Sequence, residues 1–317
     1  MIEYSIQLHT NFQSSTIPEF GQSGFFFNNL EHLRHQHSGS FHLLTAQNQR
    51  TGLAEARCAF FVDAGKAISP VAAPFGSVEF TETLPEPVLD TFLHALSNAI
   101  RSIGTSTTFR LTHYPCCYAP EQTALLRKKL PKYGFQLTRT DQTFYLPVDA
   151  GMFGQLIAPA ERRRLRKCRE AGFQFQHWTS PNITDVVNFV QDTRRQQGYQ
   201  LTICPKNLTN LLHRFPDQFL VFTVYDGLKL AALSIAIRVR EDILYSFLPA
   251  SHPDYRTFSP TVMLVDGLYT FCQKEAIRLL DLGTSLDGNN QPKSSLRRFK
   301  RNLGALESPK FVFEKHF

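Results

Sequence analysis

The sequence predicts an α+β protein built as two tandem modules, each a mixed sheet flanked by helices. Three observations carry that expectation. The chain has 317 residues, enough for two domains of ordinary size. Hydrophobic spacing switches repeatedly between the strand and helix periods, and both halves read hairpin, strand or loop, helix, strand, helix, strand. The charge also divides: residues 1–150 hold 11 basic and 12 acidic side chains, whereas residues 151–317 hold 23 and 15, a net of +8. A boundary is expected near Pro147–Gly154, with modules at 1–150 and 151–317.

In the first half, Phe41–Ala46 and Glu55–Asp63 flank the turn Asn48–Gly52 and read as a hairpin. Leu89, Phe92, Leu93, Leu96 and Ile100 recur at helical spacing and predict a helix from Pro87 to about Arg101. Phe109–His113 reads as a strand. Ala119–Lys132 reads as a helix ended by Gly134, followed by a pair of strands reaching Pro147.

In the second half, Pro159–Ala171 is expected to be helical, with Pro at its first turn and Gly172 after its end. Asn182–Gly198 and Lys206–Phe215 are further helices. Leu220–Tyr225 and Leu228–Ile237 flank Asp226-Gly227, a pair suited to a type I′ hairpin turn because both positions need φ > 0. Ile243–Leu248 adds a strand. Ser259 and Pro260 look like the cap and first residue of a helix to about Glu275. The strand Ile277–Leu282, a short helix capped by Ser294 or Ser295, and the closing strand Lys310–Glu314 complete the order.

Composition narrows the class. Hydrophobic residues make up 42% and charged residues 19%, which excludes wholesale disorder and coiled coil. The longest apolar runs fall far short of the ~20 residues of a membrane-spanning helix. The N-terminus shows no basic region followed by an apolar stretch. The six cysteines (58, 116, 117, 168, 204, 272) include no C-x-x-C pair and read as reduced thiols of a cytoplasmic protein. His32, His35, His37 and His42 have no zinc-ligand spacing, so they read as loop residues and no metal site is expected. A positive second half favours an anionic partner there, without choosing among nucleic acid, phosphate-bearing donor or acidic lipid.

Several segments resemble the GNAT (Gcn5-related N-acetyltransferase) superfamily, in particular its Fem-like aminoacyltransferase branch. They are the hairpin Leu220–Ile237, Tyr245 and Phe247 in the next strand, and the helix start Ser259-Pro260-Thr261. Asp281-Leu282-Gly283-Thr284-Ser285 and, above all, Leu296–Gly304 complete the set; the latter is similar to the branch's F-K-x-x-(F/L)-G segment. The resemblance covers residues 155–317, and Leu125–Leu146 looks like the last third of a further module. It implies two tandem GNAT-like modules, the first degenerate and the second carrying the active cleft. It further implies acyl or aminoacyl transfer to an amine, with acyl-CoA or aminoacyl-tRNA as donor substrate and no tightly bound cofactor. Either donor is a polyanion, so the implied partner is an anionic donor substrate, with tRNA as one candidate; the oligomeric state is left open.

The same resemblance singles out residues. GNAT modules hold the CoA pyrophosphate through R/Q-x-x-G-x-G/A at a helix start, where unpaired amides favour anions. Here the segment is Arg256-Thr257-Phe258-Ser259-Pro260-Thr261, so Arg256, Ser259 and Thr261 are the candidate donor-phosphate contacts, with both glycines replaced. Lys300 is the leading catalytic candidate, as an ammonium facing the oxyanion of a tetrahedral intermediate. Arg297, three residues earlier, suits a phosphate. Asp281 could act as a base, Tyr245 as a hydroxyl donor, and Ser285 and Asp287 as substrate contacts. The run Arg162–Arg169 has six basic groups in eight positions and reads either as a solvated face or as a contact for an RNA backbone. The alternative to an enzyme is a non-catalytic protein that binds RNA or another polyanion on a degenerate GNAT scaffold.

Overall fold

The computed structural model describes residues 3–10, 17–36, 41–63, 65–103, 107–198, 201–286 and 291–317. It divides into two compact units, Met1–Asp141 with Ser308–Phe317, and Gln142–Glu307. The break therefore comes earlier than 147–154, and the last ten residues go to the first unit.

The first unit contains β1 (Tyr4–Thr10), α1 (Leu30–Gln36), β2 (Phe41–Asn48), β3 (Ala54–Asp63), β4 (Lys66–Ser69) and β5 (Glu79–Phe80). It continues with α2 (Glu86–Ser102), β6 (Thr108–Thr112), α3 (Pro120–Lys129) and the start of β7 (Gln136–Pro147). Its sheet runs β1-β2-β3-β4-β6, and the C-terminal strand pairs antiparallel with β6. The apolar stripe of α2 forms as its spacing predicts: Leu89, Phe92, Leu93, Leu96 and Ile100 are all fully buried, packed with Phe60 and Phe109. The expected hairpin is β2–β3, in register from Phe41↔Phe61.

The second unit takes the rest of β7, then α4 (Phe153–Leu156), α5 (Pro159–Glu170), β8 (Gln174–His177), α6 (Ile183–Gln196), α7 (Pro205–Arg214), β9 (Phe219–Asp226) and β10 (Lys229–Arg240). β11 (Ile243–Ser251), α8 (Pro260–Lys274), β12 (Leu279–Thr284), α9 (Ser294–Asn302) and the start of β13 (Leu306–His316) follow. Its strand order is β7-β12-β11-β10-β9-β8, with β11 and β12 parallel and the other neighbours antiparallel. Helix α8 lies on this sheet through Val262, Leu264, Val265 and Leu268, each worth about 2 kcal/mol of buried apolar surface. A side chain at Gly267 would collide with the Phe175 ring, so glycine is what lets α8 approach β8. No helix among the described residues is long and apolar enough to cross a membrane.

Several expectations need correction. Residues 136–147 form one strand, not two, because no turn interrupts the extended backbone. The β9–β10 turn is centred on Gly227-Leu228, and of these only Gly227 has positive φ, the pattern of a II′ rather than a I′ turn. Ser259 stands at the α8 N-cap position with left-handed backbone and makes no capping hydrogen bond. The cap position of α9 is Lys293, with Ser294 already inside the helix. His32 and His35 lie in α1 and His42 in β2, not in a loop, and His37 lies outside the described residues. Burial beside Phe26 and Phe27 drives the His32 pKa down to about 4.

Candidate active site

The parallel strands β11 and β12 pair over only three positions, Ile243↔Leu279, Leu244↔Leu280 and Tyr245↔Asp281. Beyond them both strands continue with other partners, β11 with β10 and β12 with β7. The two strands therefore part at Tyr245 and Asp281, leaving a notch at their carboxyl ends, where parallel sheets commonly receive ligands.

Tyr245, Asp281 and Lys300 converge on one residue beside this notch, Gly283. The pairing of β12 with β7 is irregular between Asp281 and Gly283, and Gly283 has φ of +73°, a region open to glycine at little cost. The Gly283 N–H donates to Asp281 Oδ1 at 2.6 Å. Lys300 Nζ donates to the carbonyls of Gly283 at 3.0 Å and Thr284 at 2.7 Å. The Tyr245 ring covers Gly283 so closely that a Cβ there would meet its Cε2 at 3.0 Å.

Helix α9 explains how a lysine comes inside. Leu296, Phe299, Lys300 and Leu303 follow the i, i+3, i+4, i+7 spacing of an inward face, and Lys300 occupies one slot of it, 7% exposed. Its ammonium lies 5.5 Å from the centre of the Phe144 ring. Burial lowers its pKa to about 8, against the opposing charge of Asp281. The group is thus still mainly protonated at pH 7. Burial, and then the charge of Asp281, raises the Tyr245 phenol above its ordinary value, so it keeps its proton and can donate it.

Ser285 and Arg297 flank the same elements. The Lys293 N–H donates to the Ser285 carbonyl at 2.8 Å, and the Arg297 N–H to the Lys293 carbonyl at 3.1 Å. Ser285 Oγ and Arg297 Nε are both buried without a hydrogen-bond partner. Buried polar atoms are rarely left so, and a substrate contact is one reason to leave them.

The start of α8 is less suited to a phosphate than its motif implies. Ser259 N–H is spent on the Tyr255 carbonyl and Val262 N–H on the Ser259 carbonyl, while Pro260 has no N–H. Arg256 is exposed, Ser259 and Thr261 are half-buried, and among the described residues no hydrogen bond joins them to the Lys300 group. Asp287 lies outside the described residues. Two participants were given no role by the sequence reading. Gly283 carried a signal, a glycine inside a strand pattern, which often marks a bulge or a close approach. Phe144, one of 28 phenylalanines, carried none.

Residues 160–301 match the family described as acetyltransferase (GNAT) domain. The match lies within the second unit, which is thus similar to GNAT domains. The tandem GNAT fold extends over the chain: FemX is 11% identical over 93% of each chain, with a TM-score of 0.69. The C-terminal domain (DUF2156) of a candidate lysylphosphatidylglycerol synthetase from Agrobacterium fabrum is 12% identical, covers 84% of this chain and 83% of its own, and has a TM-score of 0.56. A tandem GNAT protein from the clavulanic acid biosynthesis pathway is 10% identical over 87% of this chain and 82% of its own, with a TM-score of 0.52. The chain is thus similar in fold to Fem-like and tandem GNAT proteins. No curated protein sequence matches it.

Proposed function

We propose that the protein transfers an acyl or aminoacyl group from an activated donor, a CoA thioester or an aminoacyl-tRNA ester, to an amine. The observation that carries this reading is the convergence of Lys300, Tyr245 and Asp281 on Gly283 beside the β11–β12 notch. The amine nitrogen attacks the acyl carbon, and the carbonyl oxygen becomes an oxyanion. The Lys300 ammonium, itself buried, supplies positive charge for that oxygen away from bulk solvent, where such stabilisation is worth most. As the intermediate collapses, the C–N bond stays and the C–S or C–O bond breaks. The leaving sulfur or oxygen takes a proton, for which the Tyr245 hydroxyl is the donor. Asp281 holds Gly283 in place and can accept a proton from the attacking amine. Arg297 and Ser285, with their unpartnered atoms, contact the substrate. Of the residues at the start of α8, exposed Arg256 is the one left to meet a donor phosphate, since the Ser259 and Val262 amides are spent and Pro260 has none.

The test is product mass spectrometry with panels of acyl-CoA and aminoacyl-tRNA donors against amine acceptors. An amide product formed by wild type and reduced at least a hundredfold in Lys300→Met supports the reading. Folded wild type that transfers from no donor overturns it. That outcome, with polyanion binding retained, is what the non-catalytic alternative requires, and Pro260 with the absent glycines is the observation in its favour.

A further inference from the structure

Arg297 is set apart from the other arginines by a buried guanidinium nitrogen, Nε, that meets no acceptor among the described residues. Arg162, Arg163, Arg166 and Arg169 are exposed on α5, one wall of an open groove of about 1070 Å³ that faces α8. Arg301, one turn beyond Arg297 on α9, pairs with Glu307 at 2.6 Å. Arg297 is half-buried, and no acidic side chain among the described residues pairs with it. Ser285, 1% exposed, has its Oγ in the same condition. Burying a donor without an acceptor costs stability, so such atoms are rare in native proteins.

Both atoms belong to the elements that hold Lys300. Arg297 precedes Lys300 by three residues on α9, which sets their Cβ atoms about 5–6 Å apart on one side of the helix. Ser285 follows Thr284, whose carbonyl accepts from the Lys300 ammonium at 2.7 Å. The Ser285 carbonyl takes the Lys293 N–H and the Lys293 carbonyl takes the Arg297 N–H, which ties the end of β12 to the start of α9. Lys300 and Arg297 are positive and Asp281 is negative, so this group of three has one positive charge in excess. The Nε edge of a guanidinium, with the adjacent Nη, presents two parallel N–H groups, the arrangement that receives both oxygens of a carboxylate. The Ser285 hydroxyl can add a third donor.

We propose that Arg297 and Ser285 bind a carboxylate of the acceptor, so that the acceptor is an amino acid or a similar small amine bearing a carboxylate. That the ligand is the acceptor rests on the acyl-transfer reading; that it is a carboxylate rests on Arg297 and Ser285. A carboxylate carries the single negative charge that matches the excess beside Lys300. It also ends a molecule, so it can enter a closed recess, whereas a phosphodiester has chain on both sides and fits buried donors poorly. The phosphates of a CoA thioester lie at the far end of the pantetheine arm from the acyl carbon, and exposed Arg256 is the residue assigned to them. Thr284 and Ser285 are adjacent, about 3.8 Å apart at Cα, a separation that suits an amine and a carboxylate a few bonds apart in one molecule. In the reaction the amine nitrogen bonds to the acyl carbon and gives a proton to Asp281. The sulfur or oxygen leaves with a proton from Tyr245, and solvent returns both side chains to their starting state. The amide product keeps its carboxylate.

The test uses the full chain and acceptor pairs that differ only at the carboxylate: glycine, L-alanine, β-alanine and L-lysine, each against its amide. Transfer is measured with a donor that wild type accepts, and kcat/KM is compared within each pair. Wild type favours the acid over the amide by about a hundredfold, mainly through KM. Arg297→Met reduces that preference to less than about tenfold, and Ser285→Ala narrows it to a smaller extent. Arg297→Lys keeps the charge without the fork and falls between Arg297→Met and wild type. Arg298→Met removes an exposed charge one residue further on and retains the wild-type preference. Arg297→Met melts no lower than wild type, because the nitrogen it removes has no partner to lose. Calorimetric titration of the same acids and amides without donor reads the site independently of transfer. An amide used as well as its acid, or a preference that survives Arg297→Met, overturns the proposal and leaves acyl transfer standing. So does inorganic phosphate that binds through Arg297 while the acids do not. Acid binding that Arg297→Met loses, with no transfer from any donor, removes the acyl-transfer reading and keeps the carboxylate site. Absence of both transfer and acid binding overturns both.

Discussion

Replacing Lys300 by Met keeps an unbranched side chain one heavy atom shorter and removes its charge, and the consequence for stability depends on pH. Burial lowers the Lys300 pKa from 10.5 to about 8, which at about 1.4 kcal/mol per pH unit means that folding the charged form costs about 3 kcal/mol at low pH. Methionine removes that cost. It also leaves the Gly283 and Thr284 carbonyls without their donor, at about 1–3 kcal/mol each if they stay dry. The two effects oppose each other at neutral pH, so a single measurement there does not separate them. Their pH dependence does. Between pH 8 and 10.5 the unfolded lysine keeps its proton while the folded one loses it, so the unfolded state binds more protons and wild-type stability rises with pH. Relative to Lys300→Met, wild type gains about 2 kcal/mol between pH 7 and pH 10. Urea unfolding of both proteins at pH 7, 8, 9 and 10 reads this, because titrating groups that do not interact with Lys300 cancel in the difference, and Asp281, its charged neighbour, is ionised throughout that range in wild type. A difference constant across that range would mean that Lys300 titrates as an ordinary exposed lysine, and the reasoning about its burial would fall.

Gly283→Ala places a Cβ 3.0 Å from Tyr245 at φ of +73°, so a loss of about 1–3 kcal/mol in chemical denaturation is expected, together with loss of acyl transfer. Tyr245→Phe keeps the ring over Gly283 and removes only the hydroxyl; transfer should drop at least tenfold, with the melting temperature within a few degrees of wild type. Gly267→Ala forces a methyl against Phe175 and should destabilise the second unit by about 1–3 kcal/mol, read by urea unfolding. Asn182 accepts from the Thr184 and Asp185 N–H groups at the start of α6, and Asn182→Ala should cost about 1 kcal/mol in the same assay.

Some elements were legible because a local rule sufficed. The spacing of Leu89, Phe92, Leu93, Leu96 and Ile100 predicts α2 within a residue at each end, and Asn182 announces the start of α6. Strands β4, β5 and β8 were not read, since strands of two to four residues have too few alternating positions to stand out; β1, at the chain's start, was not read either, its Tyr4–Thr10 burial showing no strict alternation. Strand β13 could be expected, but not its return to β6, which depends on a pairing between residues some two hundred positions apart.

The candidate site divides in the same way. The segment Leu296–Gly304 and the D-x-G-x-S strand end single out Lys300, Asp281 and Ser285 from local pattern and family resemblance alone. That Lys300, Tyr245 and Asp281 meet at Gly283, and that Ser285 and Arg297 have buried atoms without partners, belongs to tertiary structure. The charge excess of residues 151–317 was countable from the sequence, whereas the groove that gathers four arginines into one wall exists only once α5 packs on α8. Residue type, period and net charge are properties of the chain taken locally. Burial, a displaced pKa and convergence arise from segments far apart in sequence sharing a small volume, and folding alone brings them there.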